Sequence, residues 1–328
     1  MTTLPGTMPI AHALNAGLRA AMETDDKVML IGEDIGQLGG VFRVTDGLQK
    51  GFGDLRVVDA PLGEAGIVGS AIGLAMAGYR PVCEIQFDGF VFPAMNQITT
   101  QLAKYRHRSD GRVALPVVIR IPVGGGIGAI EHHSESPEAY FTHTAGLKVV
   151  MPSTPQEAYD MIREAIRSDD PTIFLEPKRS YWLKGQVNRA STPGPLDKAA
   201  VVRPGEDLTL VTYGALVPVA LKVADVCAEE GRNIEVIDLR SLSPIDDATI
   251  IQSVERTGRL VVAHEASRTG GLGGEIASRV QDAAFHSLEA PVLRVTGYDT
   301  PYPASRLEEE WLPGLDRILD AVDRSFTY

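Results

Sequence analysis

The sequence predicts an α/β fold of two parallel-sheet domains, and three observations carry that reading. Short β-branched runs alternate with helical periods almost from end to end, which implies parallel strands joined by crossover helices. The alternation breaks once, over a stretch rich in glycine and proline, and then resumes. The 328 residues suffice for two cores, and the apolar fraction of 44% and charged fraction of 23% are those of a folded chain.

Taken in order, Ile10, Ala13, Leu14, Gly17, Leu18 and Ala21 fall on one face of a first helix. Val28–Ile31, Arg56–Val58, Val82–Phe87, Pro116–Ile121, Lys148–Met151 and Thr172–Glu176 read as strands. Ala65–Gly78 reads as a buried, glycine-rich helix, too short to cross a bilayer. Thr154-Pro155-Gln156-Glu157 supplies an N-cap, a proline at the first helical position and a capping-box acid. The stretch 185–207 has no apolar period and reads as a linker between a first domain, 1–184, and a second, 208–328. In the second domain Leu208–Tyr213, Ile234–Leu239, Arg259–His264 and Val292–Val295 are strands, and helices begin near Leu216, Asp246 and Gly273.

Charge and cysteine content narrow the function. Lys plus Arg is 31 against 43 for Asp plus Glu, a net charge of −12, and no basic block offsets it, so a nucleic-acid partner is not expected. Cys83 and Cys227 are far apart and form no CxxC pair, which argues against a disulfide scaffold or structural zinc and suits a reducing cytoplasm. No secretory signal or membrane span is visible, so a cytoplasmic location is expected.

Three constellations carry chemistry. Gly124-Gly-Gly-Ile-Gly-Ala129 follows a strand and satisfies G-x-G-x-x-A, a dinucleotide phosphate loop or simply a flexible loop. The nucleotide reading lacks its context: Glu131–Pro137 is a poor helix start, and no acid stands near Val149 to take a ribose. Gly270–Gly274 is explained by turning and helix capping. His132, His133 and His143 lie among Glu131, Glu135 and Glu138, without a zinc-ligand spacing. Read alone, they are surface histidines; an acid–base or anion-binding group on a mobile loop is the sharper reading. Glu64 follows a strand and opens a helix containing Gly66, Gly69 and Gly73. It is either a first-turn acid favoured by the helix dipole or an acid at the mouth of an apolar interface. Each interior glycine costs about 1 kcal/mol against alanine, which close packing between subunits would offset.

Together the residues resemble a known family. Gly32-Glu-Asp-Ile-Gly36, Gly40-Val-Phe-Arg43, Pro61-Leu-Gly-Glu-Ala-Gly-Ile-Val-Gly69, Glu84-Ile-Gln-Phe87, His133-Ser-Glu-Ser-Pro-Glu138, Gly146-Leu-Lys-Val-Val150 and Val236-Ile-Asp-Leu-Arg240 resemble, in order, the beta subunit of thiamine-diphosphate-dependent 2-oxoacid dehydrogenases. The resemblance implies a transketolase-type pyrimidine-binding domain followed by a transketolase carboxyl-terminal domain. It implies that Glu64 hydrogen-bonds the cofactor's pyrimidine nitrogen and so promotes loss of the thiazolium proton. It places Phe90 against the pyrimidine, with phenylalanine where some relatives carry tyrosine, and it puts Leu62 and Gln86 in the same pocket. His133, rather than His132, falls at the family's active-site histidine.

The resemblance implies further partners. Thiamine enzymes usually hold Mg²⁺ and pyrophosphate with a Gly-Asp-Gly motif, which this chain lacks. In the family a separate alpha subunit holds them, so an α₂β₂ heterotetramer is expected, together with a lipoyl-bearing dihydrolipoamide acyltransferase core. Some relatives bind structural potassium at positions matching Leu115, Val117 and Val118 and Ala165, Ser168 and Asp170. His133-Ser-Glu-Ser-Pro-Glu-Ala139 and Gly297-Tyr-Asp-Thr-Pro-Tyr-Pro303 are more similar to members acting on branched-chain 2-oxo acids of the 3-methyl-2-oxobutanoate type. Pyruvate or acetoin is the alternative substrate, and a non-catalytic scaffold of the same fold the distant one.

Overall fold

The structure is a computed structural model that describes residues 6–328. The chain divides into two compact units. One comprises residues up to Val123 together with Tyr140–Leu196; the other comprises Gly124–Ala139 together with Asp197–Tyr328. The glycine run, His132 and His133 therefore belong with the carboxyl-terminal unit, although they lie in the first half of the sequence, whereas His143 belongs with the first unit.

In the first unit helix α1 spans Ile10–Thr24, and the six apolar positions of its predicted face are all buried. Strands β1 (Val28–Gly32) and β2 (Val57–Asp59) precede helix α2 (Glu64–Met76). Strands β3 (Arg80–Glu84), β4 (Val118–Val123) and β5 (Lys148–Val150), helix α3 (Pro155–Arg167) and strand β6 (Thr172–Pro177) follow. These six strands are parallel, in the order β5-β6-β4-β3-β1-β2. The capping box at Thr154 forms as its sequence dictates, with Glu157 N–H donating to Thr154 Oγ1 at 3.2 Å. Helices α1 and α3 cross at Gly17, where a Cβ would meet Ile162 Cγ2 at 2.4 Å, so only glycine permits this approach.

The strand expected at Val82–Phe87 ends at Glu84. The chain then leaves the sheet and winds as a 3₁₀ helix over Asp88–Ala94 and a π-helical turn over Asn96–Leu102. Gln86 and Phe87 thus stand at a strand's carboxyl end rather than inside the sheet. The stretch 185–207 also contains structure: Lys184–Val187 pairs antiparallel with Gly6–Pro9, and Ala200–Arg203 forms another short strand. Helix α2 is not buried all round. Gly66, Gly69 and Gly73 lie on an exposed face, and a Cβ at Gly66 or Gly73 would meet nothing within 4 Å.

In the second unit the elements are β7 (Leu208–Thr212), α4 (Val217–Glu229), β8 (Ile234–Asp238), α5 (Asp247–Thr257), β9 (Leu260–Ser267), α6 (Leu272–Ala284), β10 (Leu293–Gly297) and α7 (Leu315–Ser325). The sheet order is β10-β9-β7-β8, all parallel, with Ala200–Arg203 antiparallel on the β8 edge. Its core packs Leu208, Leu210, Val236, Val261 and Ala263 against Leu216, Ala220, Ile318 and Val322.

Candidate active site

Three neighbouring strands of the first unit, β2, β1 and β3, end on the same edge, and each hands over to a segment carrying a candidate residue. In open parallel sheets the carboxyl ends of strands are where ligands bind. After β1 come Glu33 and Asp34; after β2 comes Leu62-Gly63-Glu64; after β3 come Gln86 to Phe90.

Glu64 opens helix α2 and is buried, yet its carboxylate makes no hydrogen bond or ion pair to any described residue. The N–H of Gly63 is already taken, donating to Glu33 Oε1 at 3.0 Å. Burial raises Glu33 above its ordinary pKa against that hydrogen bond, and the adjacent charges of Glu64 and Asp34 push the same way. Gln86 Nε2 donates to Asp34 Oδ2 at 3.2 Å and is thereby oriented toward the β1 end. Phe90 stands edge-on to Phe87, centroids 6.0 Å apart, and Phe87 continues through Phe42 to buried Tyr181. Leu62 is 86% exposed in this chain.

Beneath this edge lies a buried ionic network that the sequence reading missed. Arg120 donates to Glu176 through Nε at 2.7 Å and Nη2 at 3.0 Å, and to Glu84 Oε2 through Nη1 at 2.6 Å. Strand register accounts for it: Arg120 sits opposite Glu84, and Glu176 lies two residues beyond the partner of Arg120 on β6. Tyr181 donates to Glu176 at 2.5 Å, and Lys178, fully buried, pairs with Asp88 just ahead of Phe90. The signal was available, because an arginine in the middle of the apolar strand Val118-Ile-Arg-Ile-Pro-Val123 requires buried acids.

In the second unit His133 is half-buried on a short 3₁₀ turn, Glu131–His133. Its Nδ1 lies 2.9 Å from the His132 carbonyl oxygen, which can only accept, a contact that suits a proton on Nδ1. His132 pairs instead with Glu131 at 3.6 Å. Among the described residues no three ligating side chains gather as a metal site.

The glycine run before His133 is not a phosphate loop here, and the reason is local. Gly125 N–H donates to Glu265 Oε2 at 3.2 Å, Gly126 N–H to Glu308 Oε1 at 2.7 Å and Gly128 N–H to Glu308 Oε2 at 3.0 Å. The donors a phosphate would need are held by the chain's own carboxylates. Tyr302 donates to Glu308 at 2.5 Å, and at Gly125 a Cβ would collide with that phenol at 1.9 Å. Glu138, which closes the His133-Ser-Glu-Ser-Pro segment, accepts from Tyr213 at 2.7 Å. Burial pushes Glu138 up to about 7, with the charge of Glu265 adding to it.

At the loops expected to hold potassium, Lys148 Nζ donates to Ser168 Oγ at 2.9 Å and stands 3.3 Å from Asp170. The carbonyls of Leu115 and Val117 accept the N–H of Val117 and Thr172.

Comparison with known proteins bears on the whole chain. Residues 7–182 match the transketolase pyrimidine-binding domain family, and residues 197–318 the transketolase C-terminal domain family. The chain is 62% identical to the pyruvate dehydrogenase E1 component subunit beta of Leifsonia xyli subsp. xyli, over 98% of this chain and 96% of that one. It is 53% identical to the 3-methyl-2-oxobutanoate dehydrogenase subunit beta of Mycobacterium tuberculosis (97% and 92% covered). It is 48% identical to the 2-oxoisovalerate dehydrogenase subunit beta of Pseudomonas aeruginosa (97% and 95% covered). Among solved structures a split-gene transketolase, described as an inactive beta4 tetramer, superposes with a TM-score of 0.81 at 21% identity, covering 98% of this chain and 99% of that chain; this likeness supports the fold. No described helix is long and apolar enough to cross a membrane.

Proposed function

The chain belongs to the beta subunits of the 2-oxoacid dehydrogenase E1 component, built from transketolase-type domains, and from that premise we propose that it completes an active site for oxidative decarboxylation of a 2-oxo acid with acyl transfer to a lipoyl group. The observation that carries the reading is Glu64: an acid on a mostly buried residue whose carboxylate has no partner among the described residues, at the carboxyl edge of β1, β2 and β3, near an aromatic turn. A carboxylate that the chain leaves unpaired at such an edge is available to a ligand, and a heteroaromatic ring with a nitrogen to hydrogen-bond fits it. Glu64 would hold a proton at that ring nitrogen. Phe90 would stack on the ring, while Gln86 and Leu62 would line the pocket. His133 would accept or return a proton at the reacting carbon's substituents. Thiamine diphosphate, when bound, supplies the electron sink for decarboxylation.

The missing Gly-Asp-Gly motif supports a division of labour in which an alpha subunit holds Mg²⁺ and pyrophosphate. The exposed glycines of α2 support the same idea, because nothing in this chain requires them to be glycine. We assign that face to helix–helix packing in an α₂β₂ heterotetramer, which would join a lipoyl-bearing acyltransferase core in the cytoplasm. For the substrate we favour branched-chain 2-oxo acids of the 3-methyl-2-oxobutanoate type, on the His133–Ala139 segment and two of the relatives above. The relative at 62% identity favours pyruvate as the second reading.

The test is artificial-acceptor reduction by the chain co-expressed with an alpha partner, thiamine diphosphate and Mg²⁺. Turnover should need both chains and fall by about a hundredfold or more in Glu64→Ala. The rate ratio between 3-methyl-2-oxobutanoate and pyruvate decides the substrate. A fully active Glu64→Ala assembly would refute the assignment. Gly73→Leu should leave this chain folded but block assembly, seen by sedimentation.

A further inference from the structure

A cleft on the first unit takes no part in the chemistry above. It encloses about 690 Å³ between α1 and α3, and four arginines line it: Arg19, Arg43, Arg163 and Arg189, with His12 beside them. Two carboxylates, Glu23 and Asp46, also line it, and neither is within ion-pair distance of an arginine. Four guanidinium groups against two acids is the reverse of the chain's overall balance of −12.

Only one of the four has an acidic partner. Arg163 stands 3.4 Å from Asp160, donates to the Ser191 carbonyl and lies over the Tyr159 ring. Arg19 reaches just the Gly47 carbonyl, at 3.5 Å, and the face of Phe52. Arg43 donates to the Leu38 carbonyl, and the Arg189 side chain makes no hydrogen bond or ion pair to a described residue. Gathering like charges in one concave cleft is unfavourable unless an anion answers them. Guanidinium forks match phosphate oxygens bidentately. A volume of this size suits a nucleotide-sized ligand better than a lone phosphate. Trp182, 58% exposed, stands edge-on to His12 with centroids 6.3 Å apart and offers an aromatic surface next to the charged floor.

We propose that this cleft binds a nucleoside di- or triphosphate, its phosphates on the four arginines and its base toward His12 and Trp182. The site is independent of the catalytic assignment, since it shares no residue with it.

Calorimetric titration of the full chain with ATP, inorganic pyrophosphate and adenosine tests this. ATP and pyrophosphate should bind and adenosine alone should not. Affinity for both anions should fall about tenfold or more in Arg19→Gln/Arg189→Glu. Trp182→Leu should weaken ATP and leave pyrophosphate unchanged. Arg189→Ala, at an exposed side chain without bonds, repeats the test if the double variant folds poorly. Absence of binding would overturn the proposal. So would binding unchanged in the arginine variants. Equal ATP and pyrophosphate affinities, unaffected by Trp182→Leu, would overturn the nucleoside part.

Discussion

Under the sheet edge of the first unit, Arg120 is enclosed by Glu84 and Glu176, and Lys178 is enclosed with Asp88, so each buried cation meets buried acids on named atoms. In the second unit Glu138 and His264 are as deeply buried, yet Glu138 Oε2 and His264 Nε2 have no hydrogen-bond partner among the described residues. The first arrangement fixes charge; the second leaves protonation to respond to pH. Burial works against the Arg120 charge, but Glu176 and Glu84 outweigh it and raise its pKa further. Burial instead pushes Glu138 up to about 7 and His264 down to about 4, and nothing nearby reverses either. A buried ion network thus behaves as scaffold, whereas buried titratable groups without a counter-ion make their surroundings adjustable.

The largest expected effect breaks the scaffold. Arg120→Met strands two buried carboxylates and should cost about 3–5 kcal/mol, read as a shift of the first unit's transition in denaturant unfolding. Adding Glu84→Gln and Glu176→Gln should recover part of that loss. Failure of the triple variant to improve on the single one would mean the network's charges are not what matters.

A smaller, pH-dependent effect sharpens the contrast. The folded-state pKa of Glu138 is raised from its ordinary 4.5, so the native chain holds that proton more tightly and loses stability as pH rises from about 4.5 to about 7. Glu138→Gln removes that loss, a gain on the order of 2–3 kcal/mol above pH 7 that vanishes below about pH 4.5. His264 has the opposite sign. Its pKa is lowered from 6.5, so its contribution is lost as pH falls from 6.5 toward about 4. In the parent the two slopes oppose each other. Glu138→Gln should therefore steepen the decline in melting temperature on acidification, with Tyr213, Glu265 and Arg294 the other ionisable groups around the pair.

The smallest effect concerns the loop before His133. Glu308→Ala removes the acceptor for Gly126, Gly128 and Tyr302 and should cost about 2 kcal/mol, with faster amide exchange at the two glycines. Glu309→Ala, at an exposed neighbour, should change neither. Equal exchange in both variants would remove Glu308 from its anchoring role.

Local signals in the sequence determined a good deal of this protein. The face of α1, the Thr154–Glu157 capping box and the strand–helix alternation are encoded within a few residues of themselves, because helix and strand periods are short-range properties. The ordered motifs that identify the family, with Glu64 and His133 inside them, are legible for the same reason. Only the tertiary structure decided which members of a local pattern matter. Glu308, Glu309 and Glu310 are equivalent as sequence, but Glu308 alone is buried against the glycine loop. Gly17 and Gly73 are both helical glycines, yet Gly17 meets a crossing helix while Gly73 faces open space. Arg120 takes its partners from strands 36 and 56 residues away, and no local window contains them. Which polar atoms and small residues become indispensable depends on what the fold brings against them, and strand order and register fix that choice across distances that periodicity does not reach.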